Sequence, residues 1–116
     1  MISQNAVIHS GQPVVTVSGS ADALPLEGTV LVNTAGVDAL TLASPTSGAI
    51  ANGGDDGRVL RIKSNTANAH TITVAANKFN GDTHIATMSG AVTNFIELIA
   101  IGGVWHVLAS SGITLS

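Results

Sequence analysis

The chain has 116 residues, of which 45% are hydrophobic and only 9% are charged, and its formal net charge is −3. This length supports one domain with a single modest core, and two cores are excluded because folding at this size buries roughly two-thirds of the unfolded surface. An ordinary soluble domain has about 25% charged residues. Solubility must therefore depend on Ser, Thr, Asn and Gly.

The composition also argues against several classes of partner. Nucleic-acid binding is not expected, because the four basic residues form no patch beyond one short strand. The chain has no Cys, so neither disulfides nor thiolate metal sites are available. Its apolar runs are shorter than the roughly 20 residues of a membrane span, and the N-terminal MISQNAVIHSG lacks the pattern of a signal peptide. We therefore expect a protein that is made in the cytoplasm and is used there or released by lysis.

The first part of the chain divides into an arm and a strand. Residues 1–12 have few periodic apolar positions and predict an extended N-terminal arm, while residues 13–116 predict a single β-sandwich domain. The segment PVVTVS at 13–18 predicts the first strand, and Pro13 marks its start or its position at an edge. A loop is expected from residue 19 to residue 28.

The middle of the chain contains an internal repeat. Residues 33–43 are NTAGVDALTLA and residues 65–75 are NTANAHTITVA, and each copy follows a Gly-x-Val-Leu run. β-branched residues at every second position flank an Asn-containing polar segment in both copies, which predicts two similar hairpins. Residues 44–57 between them are rich in Gly, Pro, Ser and Asp and predict a long loop. In that loop Asp55-Asp56-Gly57 indicates a turn, although calcium ligation by the two carboxylates is the alternative.

The last segment predicts a hairpin with a defined register. After a loop at 76–90 with a short strand at 83–88, Gly102-Gly103 forms a two-residue turn that pairs Ala100 with Trp105 and Leu98 with Val107. One face is then wholly apolar and predicts core: Ile96, Leu98, Ala100, Trp105, Val107 and Ala109. The opposite face is also mostly apolar: Glu97, Ile99, Ile101, Val104, His106 and Leu108. Because a sheet that is apolar on both faces is normally covered on both, we expect another subunit on this second face.

Residues that could carry chemistry are few and scattered. The histidines, His9, His70, His84 and His106, form no metal-binding motif, and a site built from one of the last three with a loop acid is the weaker alternative to ordinary strand or interface positions. The serines lie in no nucleophile elbow. Trp105, Phe79 and Phe95 are too few for a typical sugar-stacking surface. We therefore expect no enzyme activity and no cofactor.

Several motifs together resemble a known family. These are LTLASPTSG, DDGRVLRIKSNTANAHTITV, FNGDT, TMSGAV, FIELIAIGGVWHVL and GITLS, between residues 29 and 116. They are similar to the capsid decoration, or head-cementing, proteins of tailed bacteriophages, which form trimeric jelly-roll knobs. The resemblance does not extend to residues 1–12. The same pattern of strands also describes tail or fibre modules of these viruses.

The resemblance implies a function and a location. It implies an all-β, jelly-roll-like antiparallel sandwich of about eight strands, made in the host cytoplasm, that binds the major capsid protein on the virion exterior as a homotrimer and stabilises the capsid. We assign the trimer interface to the second face of the last hairpin, Glu97, Ile99, Ile101, Val104, His106 and Leu108. Capsid contacts are assigned to the arm, at Ile2, Gln4, Asn5, Val7, Ile8 and His9, since such segments can order on binding; the alternative is a disordered tail or an arm that lies on its own trimer. The alternatives are a virion adhesion or tail/fibre module that binds host-surface glycans, and a jelly-roll lyase or esterase, for which no clustered His and acid set exists in the sequence.

Overall fold

A computed structural model describes residues 14–18 and 23–116. Nine strands lie in this part of the chain, together with a short 3₁₀ helix at Ile50–Asn52. The strands are β1 (Val14–Val17), β2 (Gly28–Val32), β3 (Ala39–Thr41), β4 (Val59–Ser64), β5 (Thr71–Thr73), β6 (Ile85–Met88), β7 (Phe95–Ile101), β8 (Val104–Ser111) and β9 (Ile113–Leu115). The predicted arm, residues 1–12, lies outside the described residues.

The strands form two sheets. The first sheet has the order β1-β2-β4-β7-β8, and the second has the order β3-β5-β6-β9. The prediction of an all-β sandwich is confirmed, with nine described strands where about eight were expected. Its antiparallel part needs correction, because β1 with β2, β2 with β4, and β3 with β5 pair in parallel. The sheets are therefore mixed.

The predicted repeat hairpins are wrong, because the two strands of each repeat lie in different sheets. β2 and β4 are neighbours in the first sheet, while β3 and β5 are neighbours in the second. Each repeat is thus one coil that crosses from the first sheet to the second, and the two coils stack with Val32 opposite Ser64 and Leu40 opposite Ile72. The alternation of apolar residues is compatible with both stacked coils and hairpins, because only one face of each strand contacts the core in either structure.

The last hairpin agrees with its predicted register only near the turn. Ile101 pairs with Val104, Ala100 with Trp105 and Leu98 with Val107, as predicted. A bulge between Glu97 and Leu98 then shifts the register, so that Glu97 pairs with Ala109 instead of Leu108. A bulge places two residues of one strand opposite one of the other and reverses the side-chain alternation beyond it. Ala109 is consequently exposed, and its assignment to the core is wrong.

The core fills the space between the two sheets. Trp105 and Phe79 are its largest fully buried side chains, and Trp105 Nε1 donates a hydrogen bond to the carbonyl oxygen of Ala43 at 2.9 Å. The four predicted core residues Ile96, Leu98, Ala100 and Trp105 are completely buried, and Val107 packs at the edge of the cluster. The inner face of the hairpin therefore belongs to the core of a single chain.

Candidate interaction surface on the last hairpin

The outer face of β7 and β8 carries an apolar patch, which we call the hairpin face and define as Ile99, Ile101, Val104, His106 and Leu108. Pairing in the sheet brings Ile99 opposite His106 and Ile101 opposite Val104. Ile101 and Leu108 are 50% and 53% exposed. The other three are half-buried. The structure thus brings together five of the six residues that the sequence assigned to a subunit interface.

Glu97, the sixth of these residues, marks the boundary of the apolar patch. Its carboxylate accepts a hydrogen bond from Arg61 Nε at 2.5 Å, and the two residues are cross-strand partners in β7 and β4. Both residues of this ion pair also line a groove of about 220 Å³, together with Thr29, Ile62, Lys63 and Phe95. An exposed surface ion pair contributes little stability, about 0 to 1 kcal/mol. Its location separates the apolar hairpin face from a mixed, partly cationic region.

Two outward residues next to the patch were missed by the sequence analysis. Val59 in β4 pairs with Ile99, and Phe95, which is 37% exposed, pairs with Lys63. Val59 was not assigned to this face because the order of β4 and β7 in the sheet cannot be read from local alternation. The alternation of Phe95 with Glu97 and Ile99 along β7 was a usable signal, because these residues share one face of the strand.

The long loop before β4 holds the hairpin turn in place. Asp56 Oδ1 accepts a hydrogen bond from the backbone N–H of Gly102 at 2.8 Å. Asp55 accepts one from the backbone N–H of Thr46 at 2.7 Å and one from Arg58 Nε at 2.8 Å, and Arg58 also pairs with Glu27. The Thr46 hydrogen bond, followed by the Arg58 guanidinium, holds the pKa of Asp55 below its usual value.

These contacts decide between the two interpretations of Asp55-Asp56-Gly57. The backbone N–H of Arg58 donates to the carbonyl oxygen of Asp55 at 3.0 Å, which closes a turn. The carboxylate of Asp55 already faces a guanidinium and a backbone amide. The predicted turn is confirmed, and the loop fixes the hairpin turn at Gly102.

The histidines occupy separate parts of the structure. His70 is fully buried, His84 is exposed and His106 lies on the hairpin face, while His9 is outside the described residues. Within residues 14–18 and 23–116, no group of three or more His, Cys, Asp or Glu side chains is arranged to hold a metal ion. The three described histidines thus lie in different settings: a buried position before β5, an exposed position before β6 and a half-buried position on the hairpin face.

Buried His70 connects the two stacked coils through a defined hydrogen-bond chain. Its Nδ1 accepts from the backbone N–H of Asp38 at 3.0 Å, so the ring proton must be on Nε2, which lies 2.9 Å from Thr66 Oγ1. The Thr66 hydroxyl donates to the carbonyl oxygen of Thr34 at 2.7 Å. Desolvation lowers the pKa of His70, and the nearby Asp38 carboxylate partly opposes this effect.

No protein-family model matches this chain, and no curated protein matches it. Within the described residues, no helix has the length and apolar character needed to cross a membrane. The predicted capsid-contact residues, Ile2, Gln4, Asn5, Val7, Ile8 and His9, all precede the described part of the chain.

Proposed function

We propose that this protein is a structural virion component that binds the exterior of an assembled phage capsid as a homotrimer and stabilises it. The main support for the proposal is the hairpin face, which is mostly apolar and partly exposed. The opposite face of the same two strands is already buried in the core of the chain. Leu98, Ala100 and Trp105 fill the core without any contribution from Ile101 or Leu108. Large contiguous apolar surfaces on small soluble domains usually mark an interaction site.

The assignment of a trimer on a capsid rests on the family resemblance of residues 29–116. The fold supports it in a general way, because a two-sheet β-sandwich is the architecture that the resemblance implies. The low content of charged residues is compatible with it as well, since 9% charged residues leave few like charges to repel a neighbouring subunit. In this proposal, the hairpin face lies between subunits, and the arm reaches the capsid.

Co-sedimentation with purified expanded capsids tests the proposal. We expect the wild-type protein to pellet with capsids. Leu108→Asp should prevent the oligomer from forming and should therefore lose most of this binding, because one weak contact replaces three linked ones. Thr114→Asp is the matched control, since Thr114 is exposed on the outer face of the second sheet. Failure of the wild-type protein to pellet with capsids, together with retention on immobilised host-surface glycans, would contradict the proposal and favour an adhesion module.

The arm provides a separate test. Deletion of residues 2–12 should leave the oligomer and its melting temperature unchanged and abolish co-sedimentation. If the truncated protein saturates capsids with the same affinity, the capsid contacts lie on the body of the domain.

A further inference from the structure

Within residues 14–18 and 23–116, the first sheet has two edges that no other described strand pairs with, and they differ from the edges of the second sheet. Among the described residues, β1 forms one edge of the first sheet and β8 forms the other. The edge strands of the second sheet, β3 and β9, have only three residues each, and β3 is further bridged by Ala23. Short or covered edges are a common protection against pairing with another chain.

The edge of β8 is covered along its first half only. The backbone N–H of Trp105 donates to the Lys78 carbonyl at 2.8 Å, that of Asn80 donates to the Trp105 carbonyl at 2.9 Å, and that of Val107 donates to Asn80 Oδ1 at 3.0 Å. This cover ends at Val107. Residues 108–111 of β8 are exposed, and no strand of the described chain lies beyond them.

The open part of β8 and the edge strand β1 lie at the same level of the sheet. Following the pairing across the sheet, Val14 aligns through Thr29, Arg61 and Glu97 with Ala109. In the same way, Thr16 aligns through Leu31, Lys63 and Phe95 with Ser111. Two parallel pairings followed by two antiparallel ones leave β1 and β8 running in the same direction.

Neither open segment carries the usual features that prevent edge pairing. Neither β1 (VVTV) nor residues 108–111 (LASS) contains a charge or a proline, although Pro13 directly precedes β1 in the sequence. Val14 and Val15 are 69% and 38% exposed, and Leu108 is 53% exposed. Natural edge strands of this kind are normally interrupted by Lys, Pro or inward charges, because a free edge is a template for strand addition.

A trimer needs two different surface patches on each subunit, because a self-complementary patch produces only a pair. We propose that the two edges of the first sheet are these patches: β1 of one subunit adds in parallel to residues 108–111 of the next, and three such contacts close the ring. This inference rests on the proposed homotrimer. It places Leu108 beside both the edge contact and the hairpin face, so that the two form one continuous interface.

Engineered disulfides test this arrangement, because the chain has no cysteine of its own. Thr16→Cys with Ser111→Cys places thiols at the same level of the two edges, and both residues are exposed. Neighbouring strands lie about 4.8 Å apart, within the roughly 4.4 to 6.8 Å between Cα atoms that a disulfide needs. After mild oxidation, a denaturing gel without reductant should show a covalent trimer, while each single variant should remain a monomer.

A second pair, Val14→Cys with Ala109→Cys, is aligned in the same way two residues earlier in each strand. It tests the same contact if the first pair of substitutions prevents folding. Thr16→Cys with Thr114→Cys is the control, since Thr114 lies in the second sheet, and it should give no trimer. Covalent dimers from Thr16→Cys alone or from Ser111→Cys alone would overturn the proposal in favour of like edges pairing. If the wild-type protein is a trimer by light scattering and neither edge pair cross-links, the edge contact is wrong and the proposed trimer stands. A wild-type monomer would overturn both.

Discussion

Asn65 Nδ2 donates a hydrogen bond to Asn33 Oδ1 at 2.9 Å, and these two residues open the two copies of the internal repeat. They are separated by 32 positions in the chain. The same offset pairs Val32 with Ser64 in the first sheet and Leu40 with Ile72 in the second. The sequence repeat is therefore the structural repeat: equivalent residues of successive coils lie side by side.

The hydrogen bonds between the two stacked coils should depend on Thr66. Thr66→Val keeps the shape of the side chain but removes the donor to the Thr34 carbonyl and the partner of buried His70 Nε2. The Thr34 carbonyl keeps Asn68 Nδ2 as a donor at 3.4 Å, whereas His70 Nε2 loses its hydrogen-bond partner in a buried site, which should lower the free energy of unfolding by about 1 to 3 kcal/mol. Urea unfolding measures this change. Thr73→Val, on the exposed outer face of β5, is the matched control and should change stability by no more than about 0.5 kcal/mol.

Stability should fall with acid because His70 is buried in its neutral form. Its pKa is lowered from the ordinary value of 6.5 by desolvation, so the folded protein binds a proton less readily than the unfolded chain. This contribution to stability is complete above the unfolded pKa and is lost as the pH falls below it. Protonation of Nδ1 would also break the hydrogen bond from the Asp38 backbone N–H.

Urea unfolding between about pH 7.5 and pH 5.5 measures this effect. His70→Asn retains an acceptor near the position of Nδ1 and cannot titrate, so its stability should be lower overall but flatter over this range. His84→Gln, at an exposed position, should keep the wild-type slope. An unchanged slope in His70→Asn would show that another group causes the acid sensitivity.

Local alternation in the sequence predicts β1 to β8 and most of their inward faces, but it predicts neither β9 nor the partners of the strands. Val30, Ile62 and Ile72 are buried as a period-two pattern requires. Whether β2 pairs with β3 or with β4 depends on contacts about 32 residues apart, which no local rule encodes. The repeat contained that information, because equal spacing of equivalent residues is what stacked coils require.

The register of the last hairpin was predictable only in part, for the same reason. Residues near Gly102-Gly103 were placed correctly because the turn fixes the register over a few pairs. No turn residue or glycine in the sequence indicates the bulge opposite Glu97. The predicted partners of Leu108 and Ala109 are therefore wrong. The order of strands in the first sheet, which creates the two open edges, was not predictable from any single segment.

Gly54 should be intolerant of any side chain. A Cβ at this position would lie 2.1 Å from the carbonyl oxygen of Gly48, a backbone atom that cannot rotate away. Gly54→Ala should therefore destabilise the protein by about 1 to 3 kcal/mol through forced backbone shifts. Gly36→Ala is the control, since a Cβ there meets no atom within 4 Å and the residue has no left-handed φ. Equal melting temperatures for the two variants would contradict the close approach of the loop segments.

The two faces of β7 should respond differently to charge. Leu98→Asp buries an unpaired carboxyl group in the core and should cost more than about 4 kcal/mol, enough to unfold a small domain. Ile99→Asp and Leu108→Asp, on the hairpin face, should leave a folded chain that no longer assembles. Circular dichroism reports folding, and light scattering after gel filtration reports mass. If all three variants unfold equally, both faces belong to the core of one chain.

The stoichiometry of binding to capsids tests the central proposal most directly. Expanded capsids of known subunit number are titrated with the protein, and the bound fraction is measured by sedimentation. The proposed function predicts saturation at one trimer for each local three-fold position of the capsid. The proposal would be contradicted if no protein bound at concentrations well above the one at which the trimer forms. Binding that does not saturate would contradict it as well.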